Sequence, residues 1–131
     1  LLDVFKETPR AVLLGTRAFW EGVDVPGEAL SVLVIVKLPF DVPSDPIIAA
    51  RAESFDDPFN EYNLPEAILR FRQGFGRLIR TQTDRGVVAV LDKRILSKQY
   101  GKFFLESLPK CTFVEGPLAN LPDKAARWLG L

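Results

Sequence analysis

The chain has 131 residues, with 47% apolar and 26% charged positions, the make-up of an ordinary globular chain that buries roughly two-thirds of its unfolded surface in one domain. Its 17 Lys plus Arg balance 17 Asp plus Glu, which excludes a wholly basic nucleic-acid clamp but leaves room for a local basic face. There is no His and only Cys111, so His general bases, Ser-His-Asp triads, His metal sites, internal disulfides and four-Cys clusters are all excluded.

A reduced, cytoplasmic setting is the natural expectation. The longest apolar run, Leu30 to Leu38, holds Ser31 and Lys37 and is far short of a membrane span. The chain opens on Leu1 and has no Met, so residues 1–131 are read as one domain belonging to a longer protein.

In chain order, Leu1 to Lys6 reads as the end of a helix stopped before Thr8-Pro9. Ala11 to Leu14, closed by Gly15, reads as a buried strand. Thr16 to Pro26 is a loop, and Leu30 to Leu38 is a second buried strand ended by Pro39. A short helix is expected around Ile47 to Phe55, and a longer one from Pro65 to about Arg80. Gly86 to Leu91 is a third strand, ended at Asp92. Ser97 is a candidate N-cap for a helix to about Leu108. Thr112 to Glu115 reads as a fourth strand, with Cys111 as packing, and Leu121 to Leu129 as a terminal helix. Buried strands alternating with helices imply an α/β fold, a parallel sheet flanked by helices on both faces. Ligands of such sheets bind at the carboxyl ends of the strands. Two loops, Thr16 to Gly27 and Asp92 to Ser97, are expected there.

The helix from Leu64 to Arg80 carries the chemical signal. At about 100° per residue, Ile68, Phe71, Phe75, Leu78 and Ile79 share one face. Gln73, Arg77 and Arg80 lie opposite, beside Gly76 and flanked by Arg70. Guanidinium forks suit phosphates. From Arg70 to Arg94 the seven residues Arg70, Arg72, Arg77, Arg80, Arg85, Lys93 and Arg94 face only Asp84 and Asp92, so the local balance is 7 − 2 = +5. Composition alone favours a plain solvated face, since Arg is a good helix former. Gly76 counts against that, because glycine inside an exposed helix costs about 1 kcal/mol relative to Ala.

Gln73-Gly74-Phe75-Gly76-Arg77-Leu78-Ile79-Arg80 resembles motif VI of superfamily-two helicases, Gln-x-x-Gly-Arg-x-x-Arg. Thr16 to Gly27, with Thr16, Gly22 and Asp24 in register, resembles motif V. The phrase Phe19-Trp20-Glu21-Gly22-Val23-Asp24-Val25-Pro26-Gly27, then Leu38-Pro39-Phe40 and Leu91-Asp92-Lys93-Arg94, resemble the bacterial DinG side of the DinG/XPD branch. The likeness runs from about Leu1 to Pro109. It implies the second RecA-like lobe of a motor that moves 5′ to 3′ on single-stranded DNA and hydrolyses ATP between two lobes. A strand and helix that open that lobe in the family have no counterpart here.

The resemblance further implies residue roles. Arg77 and Arg80 would reach across the cleft to the γ-phosphate as arginine fingers, with Gln73 aligning the attacking water. Glu21, Gly22, Asp24 and Gly76 would border the nucleotide. Asp24 would contact the ribose or pair with a motif VI arginine; as a plain turn carboxylate it would bond its own backbone. Thr16 would touch a DNA phosphate. Phe19 and Trp20 would stack on bases or pack beneath the loop, and Lys37 and Arg51 would join the DNA track or simply be solvated. ATP and Mg²⁺ would be held by the first lobe, which in many members also carries an iron–sulfur cluster. This chain has no Gly-x-x-x-x-Gly-Lys-Ser/Thr loop and no Asp-Glu-x-His box, and one Cys cannot hold a cluster. Alone it is therefore expected to hydrolyse no ATP. The rival reading is a nucleic-acid-binding module that keeps the fold without turnover.

Overall fold

A computed structural model describes residues 1–17, 19, 25, 29–79 and 81–131. The elements are α1 (Leu2–Glu7), β1 (Val32–Ile35), α2 (Pro46–Ala52), a π-helical turn (Phe59–Asn63) running into α3 (Leu64–Leu78), β2 (Val87–Val90), α4 (Arg94–Ser97), α5 (Gly101–Glu106), a 3₁₀ turn (Leu118–Asn120) and α6 (Leu121–Leu129). The fold is α/β, as expected. β1 and β2 pair in parallel, with Val32 opposite Val87 and Ile35 opposite Val90. The connection between them passes through α2 and α3, the crossover that a parallel pair requires.

Local chemistry sets the helix ends. Asp45 caps α2 by accepting the Ile47 N–H at 2.9 Å, and Pro46 opens the helix with its fixed φ. α6 closes on Gly130, whose φ of 77° is left-handed backbone that glycine adopts without a Cβ clash.

The core lies between the strands and α3. Ile35, Leu38, Leu64, Ala67, Phe71, Ile95 and Phe104 form one buried cluster. Phe71 and Phe104 meet edge to face, with ring centroids 5.4 Å apart, and burying each ring contributes about 2–3 kcal/mol. Leu33, Ile35, Val88 and Val90 turn toward this cluster. Val32 and Val34, on the other face of β1, are exposed, whereas Ala89 on that face of β2 is buried and α6 lies against β2.

Four expectations fail. Residues 11–14 form no strand, and Val12 and Leu14 are 83% and 87% exposed. Residues 112–115 are likewise extended coil, with Cys111 exposed rather than packed. An apolar run becomes a strand only where another strand answers its backbone groups, and among the described residues none does. The helix expected from Ser97 divides into α4 and α5, with Ser97 ending the first. The Asp92 carboxylate accepts the Arg94 N–H at 3.1 Å and starts α4 there, and Lys98 at φ −96° and ψ 146° breaks the path. The core face of α3 is Leu64, Ala67, Phe71, Gly74 and Leu78, rotated by about 50° from the face read in the sequence. Ile68 and Phe75 are half-buried at its margin.

Gly101 fixes how α5 folds back on α4. A Cβ there would stand 2.0 Å from the Ile95 carbonyl oxygen, which no side-chain movement relieves. Gly101→Ala is expected to lower stability by at least about 2 kcal/mol, read as the shift of a urea unfolding midpoint at unchanged slope. A wild-type midpoint would show that the α4–α5 turn is not held by this contact.

Candidate functional site

β1 and β2 end together at residues tied by one carboxylate. The Leu38 N–H donates to Asp92 Oδ2 at 2.9 Å, across 54 positions of sequence. Arg94 Nε lies 3.0 Å from both Asp92 oxygens, and its Nη2 donates to Oδ2 at 2.6 Å. The Asp92 side chain is 8% exposed. The Arg94 guanidinium, with the Leu38 N–H in support, holds its carboxyl well below the usual carboxylate range against the opposing effect of burial. The same contact raises the pKa of Arg94, whose guanidinium lies 5.4 Å above the Phe40 ring.

A second carboxylate sits three residues beyond Leu38. Asp41 is buried, its side chain 1% exposed, and both Arg17 Nη1 (2.7 Å) and Arg70 Nη1 (3.1 Å) reach its Oδ1. Arg70 also lies 3.9 Å from Glu66. Arg17 follows Thr16 directly, and Arg70 belongs to α3. This cluster was not legible in the sequence, because each member is an ordinary charged residue and the pairing spans distant segments.

The predicted site residues fall as follows. Gln73 and Gly76 are exposed on α3, and a Cβ on Gly76 would meet nothing within 4 Å. Arg77 is half-buried and takes part in an interaction. With the core face rotated, Arg77 sits on the flank of α3 rather than opposite the core. Arg70, seven residues earlier, lies within about 20° of it on the same flank, some 10 Å back along the axis. α3 runs back along the sheet: Arg70 is by the strand exits at Asp41, while Leu78 abuts Gly86 at the amino side of β2. Arg77 thus lies on a flank leading away from the strand exits, because a helix between parallel strands must return.

Thr16 is exposed, and its carbonyl accepts the Phe19 N–H at 3.0 Å. Phe19 is half-buried, its ring against Gly15. Lys37 and Arg51 are exposed. Trp20, Glu21, Gly22, Asp24 and Arg80 lie outside the described residues. Among the described residues no three His, Cys, Asp or Glu side chains converge as a metal group, and no helix is long and apolar enough to cross a membrane.

A small parallel α/β layer with an arginine-bearing crossover helix fits the class of RecA-like helicase C-terminal domains. The helicase C-terminal domain family matches residues 1–111, and the chain belongs to that family. It is similar to the ATP-dependent DNA helicase YoaA of Haemophilus influenzae, 50% identical over 113 residues that are 83% of this chain and 18% of that protein. It is also similar to the 3′-5′ exonuclease DinG of Bacillus subtilis, 46% identical over 88% of this chain and 13% of that protein. The ATP-dependent DNA helicase DinG of Photobacterium profundum is 43% identical over 82% of this chain and 16% of its own length. The chain thus spans less than a fifth of each of these relatives.

Because folding depresses the pKa of Asp92, its contribution is present above the unfolded carboxylate pKa of about 3.9 and disappears as pH falls through the lower folded value. Asp92→Asn should cost about 1–3 kcal/mol at neutral pH, and the gap to wild type should narrow steadily below about pH 4. Chemical denaturation across pH measures this; a gap independent of pH would show that charge on Asp92 is not what ties the strand exits.

Proposed function

We propose that this chain is the second motor lobe of an ATP-dependent DNA helicase that moves 5′ to 3′ on single-stranded DNA. ATP would be gripped by a first lobe of the same polypeptide, with this lobe closing over it. The observation that carries the reading is the family match across residues 1–111 with Gln73, Gly76 and Arg77 spaced on α3 as motif VI requires.

The chemistry follows from what phosphoryl transfer needs. Negative charge spreads over the equatorial oxygens of the transferring group, and a pre-positioned guanidinium stabilises it without reorganising. Arg77 and Arg80 supply that fork. Gln73, with one amide donor pair and one acceptor, orients the attacking water. The open space over Gly76 lets the nucleotide approach the helix backbone. Glu21, Gly22 and Asp24 border the nucleotide from the motif V loop, and Asp24 accepts from the ribose. Mg²⁺ neutralises the phosphates when bound, but the described residues here offer donors and cations rather than metal ligands. A cluster of iron and sulfur, where the longer protein has one, finds no ligand set in Cys111 alone.

On the DNA side, the Thr16 hydroxyl donates to a phosphate, a role that the exposure of the residue supports. Phe19 and Trp20 give an aromatic surface for unstacked bases. The energy source and the track then meet through one short segment and one helix.

In the protein encoded by the complete gene, Arg77→Ala and Arg80→Ala should each lower DNA-stimulated ATP hydrolysis by about 10³-fold. Single-strand affinity should stay within about threefold, since neither side chain is assigned to phosphates of the track. The present chain alone should show no turnover. Hydrolysis surviving both substitutions would remove these arginines from the reaction and favour a binding module that merely keeps the helicase fold.

A further inference from the structure

The buried Asp41 cluster joins the two halves of the proposed machinery. Arg17 lies one residue after Thr16, the residue assigned to the DNA phosphate, and its side chain is 45% exposed. Arg70 is 16% exposed and is fixed within α3. Both guanidinium groups rest on the same oxygen, Asp41 Oδ1, and among the described residues Oδ2 has no hydrogen-bond partner. Two cations therefore share one half of one carboxylate. An arrangement of this kind is sensitive to any third charge, because removing one cation lets the carboxylate close fully on the other.

We propose that Asp41 is a positioning residue that couples the DNA-contacting segment to the arginine-bearing helix. A DNA phosphate arriving at Thr16 competes with Asp41 for the half-exposed Arg17. As Arg17 turns toward the phosphate, Asp41 is left to Arg70 alone, and its free oxygen completes a fork-to-fork pair. Arg70 and Arg77 lie on one flank of a continuous helix, two turns apart, so a change in the hold on Arg70 resets the aim of Arg77. Asp41 touches neither nucleotide nor DNA. The inference rests on the motor reading above and adds to it a route by which DNA occupancy reaches the nucleotide.

The test is the ratio of ATP hydrolysis at saturating single-stranded DNA to hydrolysis without DNA, measured in the protein encoded by the complete gene. Loss of folded protein scales both rates together and leaves this ratio unmoved. Arg17→Gln and Asp41→Asn should each lower the ratio by about fivefold or more, the lower end of coupling between sites. The double variant should fall no further than either single one, since each substitution severs the same link. An unchanged ratio in Arg17→Gln overturns the proposal. So does a change confined to the DNA concentration needed for half-maximal stimulation, which would make Arg17 a plain phosphate contact, and so do losses that multiply in the double variant. Should Asp41→Asn not fold, Arg17→Gln decides alone, because its half-exposed side chain can leave without a cavity. A wild-type protein whose hydrolysis ignores single-stranded DNA would instead overturn the motor reading itself.

Discussion

Asp92 stands at the point where both strands of the sheet leave the layer. Two parallel strands do not end in a shared turn, so something else must hold their exits together. Here a single buried carboxylate accepts from the Leu38 backbone and from Arg94. The arrangement satisfies a peptide N–H that the ladder no longer reaches, starts α4, and brings Arg94 over Phe40. Leu38 and Ile95, one on each exit, both lie in the core cluster. Without the ionised carboxylate the two exits would be held by apolar contacts that do not specify their separation. The segment from Phe40 to Asp41, and with it the hold on Arg70, is placed only as well as that separation is.

α3 presents its packing face and the arginines proposed for the site on adjacent arcs of one cylinder. Its buried stripe alternates large and small residues, Leu64, Ala67, Phe71, Gly74 and Leu78. The small members let the helix axis come close to the strands. Drawing the axis inward on the Gly74 side turns the arginine flank partly toward the protein, which is why Arg77 is half-buried and Arg70 nearly covered. A partly covered guanidinium has fewer rotamers to lose when an anion arrives, and it is attracted through a medium less polar than bulk water. The same rotation leaves Gln73 and Gly76 outward, so neutral contacts project and charged ones line the wall behind them.

How much could be read beforehand depended on the range of the interaction. The strands at Val32–Ile35 and Val87–Val90 fall inside the predicted Leu30–Leu38 and Gly86–Leu91, and α6 matches its predicted span. These follow from local pattern: β-branched runs, a proline start, a terminal glycine. The run at residues 11–14 carries the same pattern and forms no strand, because composition records an appetite for pairing and not the presence of a partner. The rotation of α3 was missed for a related reason. A periodicity weighted by bulk prefers Phe75 to Gly74, while close helix–sheet packing prefers the glycine. Asp92 stands in a loop that the sequence marks, but its hold on the Leu38 N–H, and the pairing of Asp41 with Arg17 and Arg70, are not readable there, since those partners lie far away in sequence. Motif spacing singles out Gln73, Gly76 and Arg77 as candidates, and the geometry puts Arg77 on the flank of α3 rather than on its open face.

The division of chemistry proposed for this lobe and an absent first lobe has a physical rationale. A site that gripped β-phosphate, metal and transition-state charge on one rigid body would bind nucleotide and product alike, and would gain nothing from closing. Putting metal ligands on one body and guanidinium groups on another makes the last stabilising contact conditional on closure. That demands a lobe whose own charge is balanced overall, so that it does not clamp DNA or nucleotide unconditionally, yet locally positive where it closes. This chain has zero net charge with an excess of +5 between Arg70 and Arg94. Internal carboxylates are the means of having both: Asp41 and Asp92 each hold arginines in fixed places and subtract from the field they would otherwise project. Arginines held this way answer to their neighbours' charge, and that conditional grip is what a motor cycling between bound and released states requires.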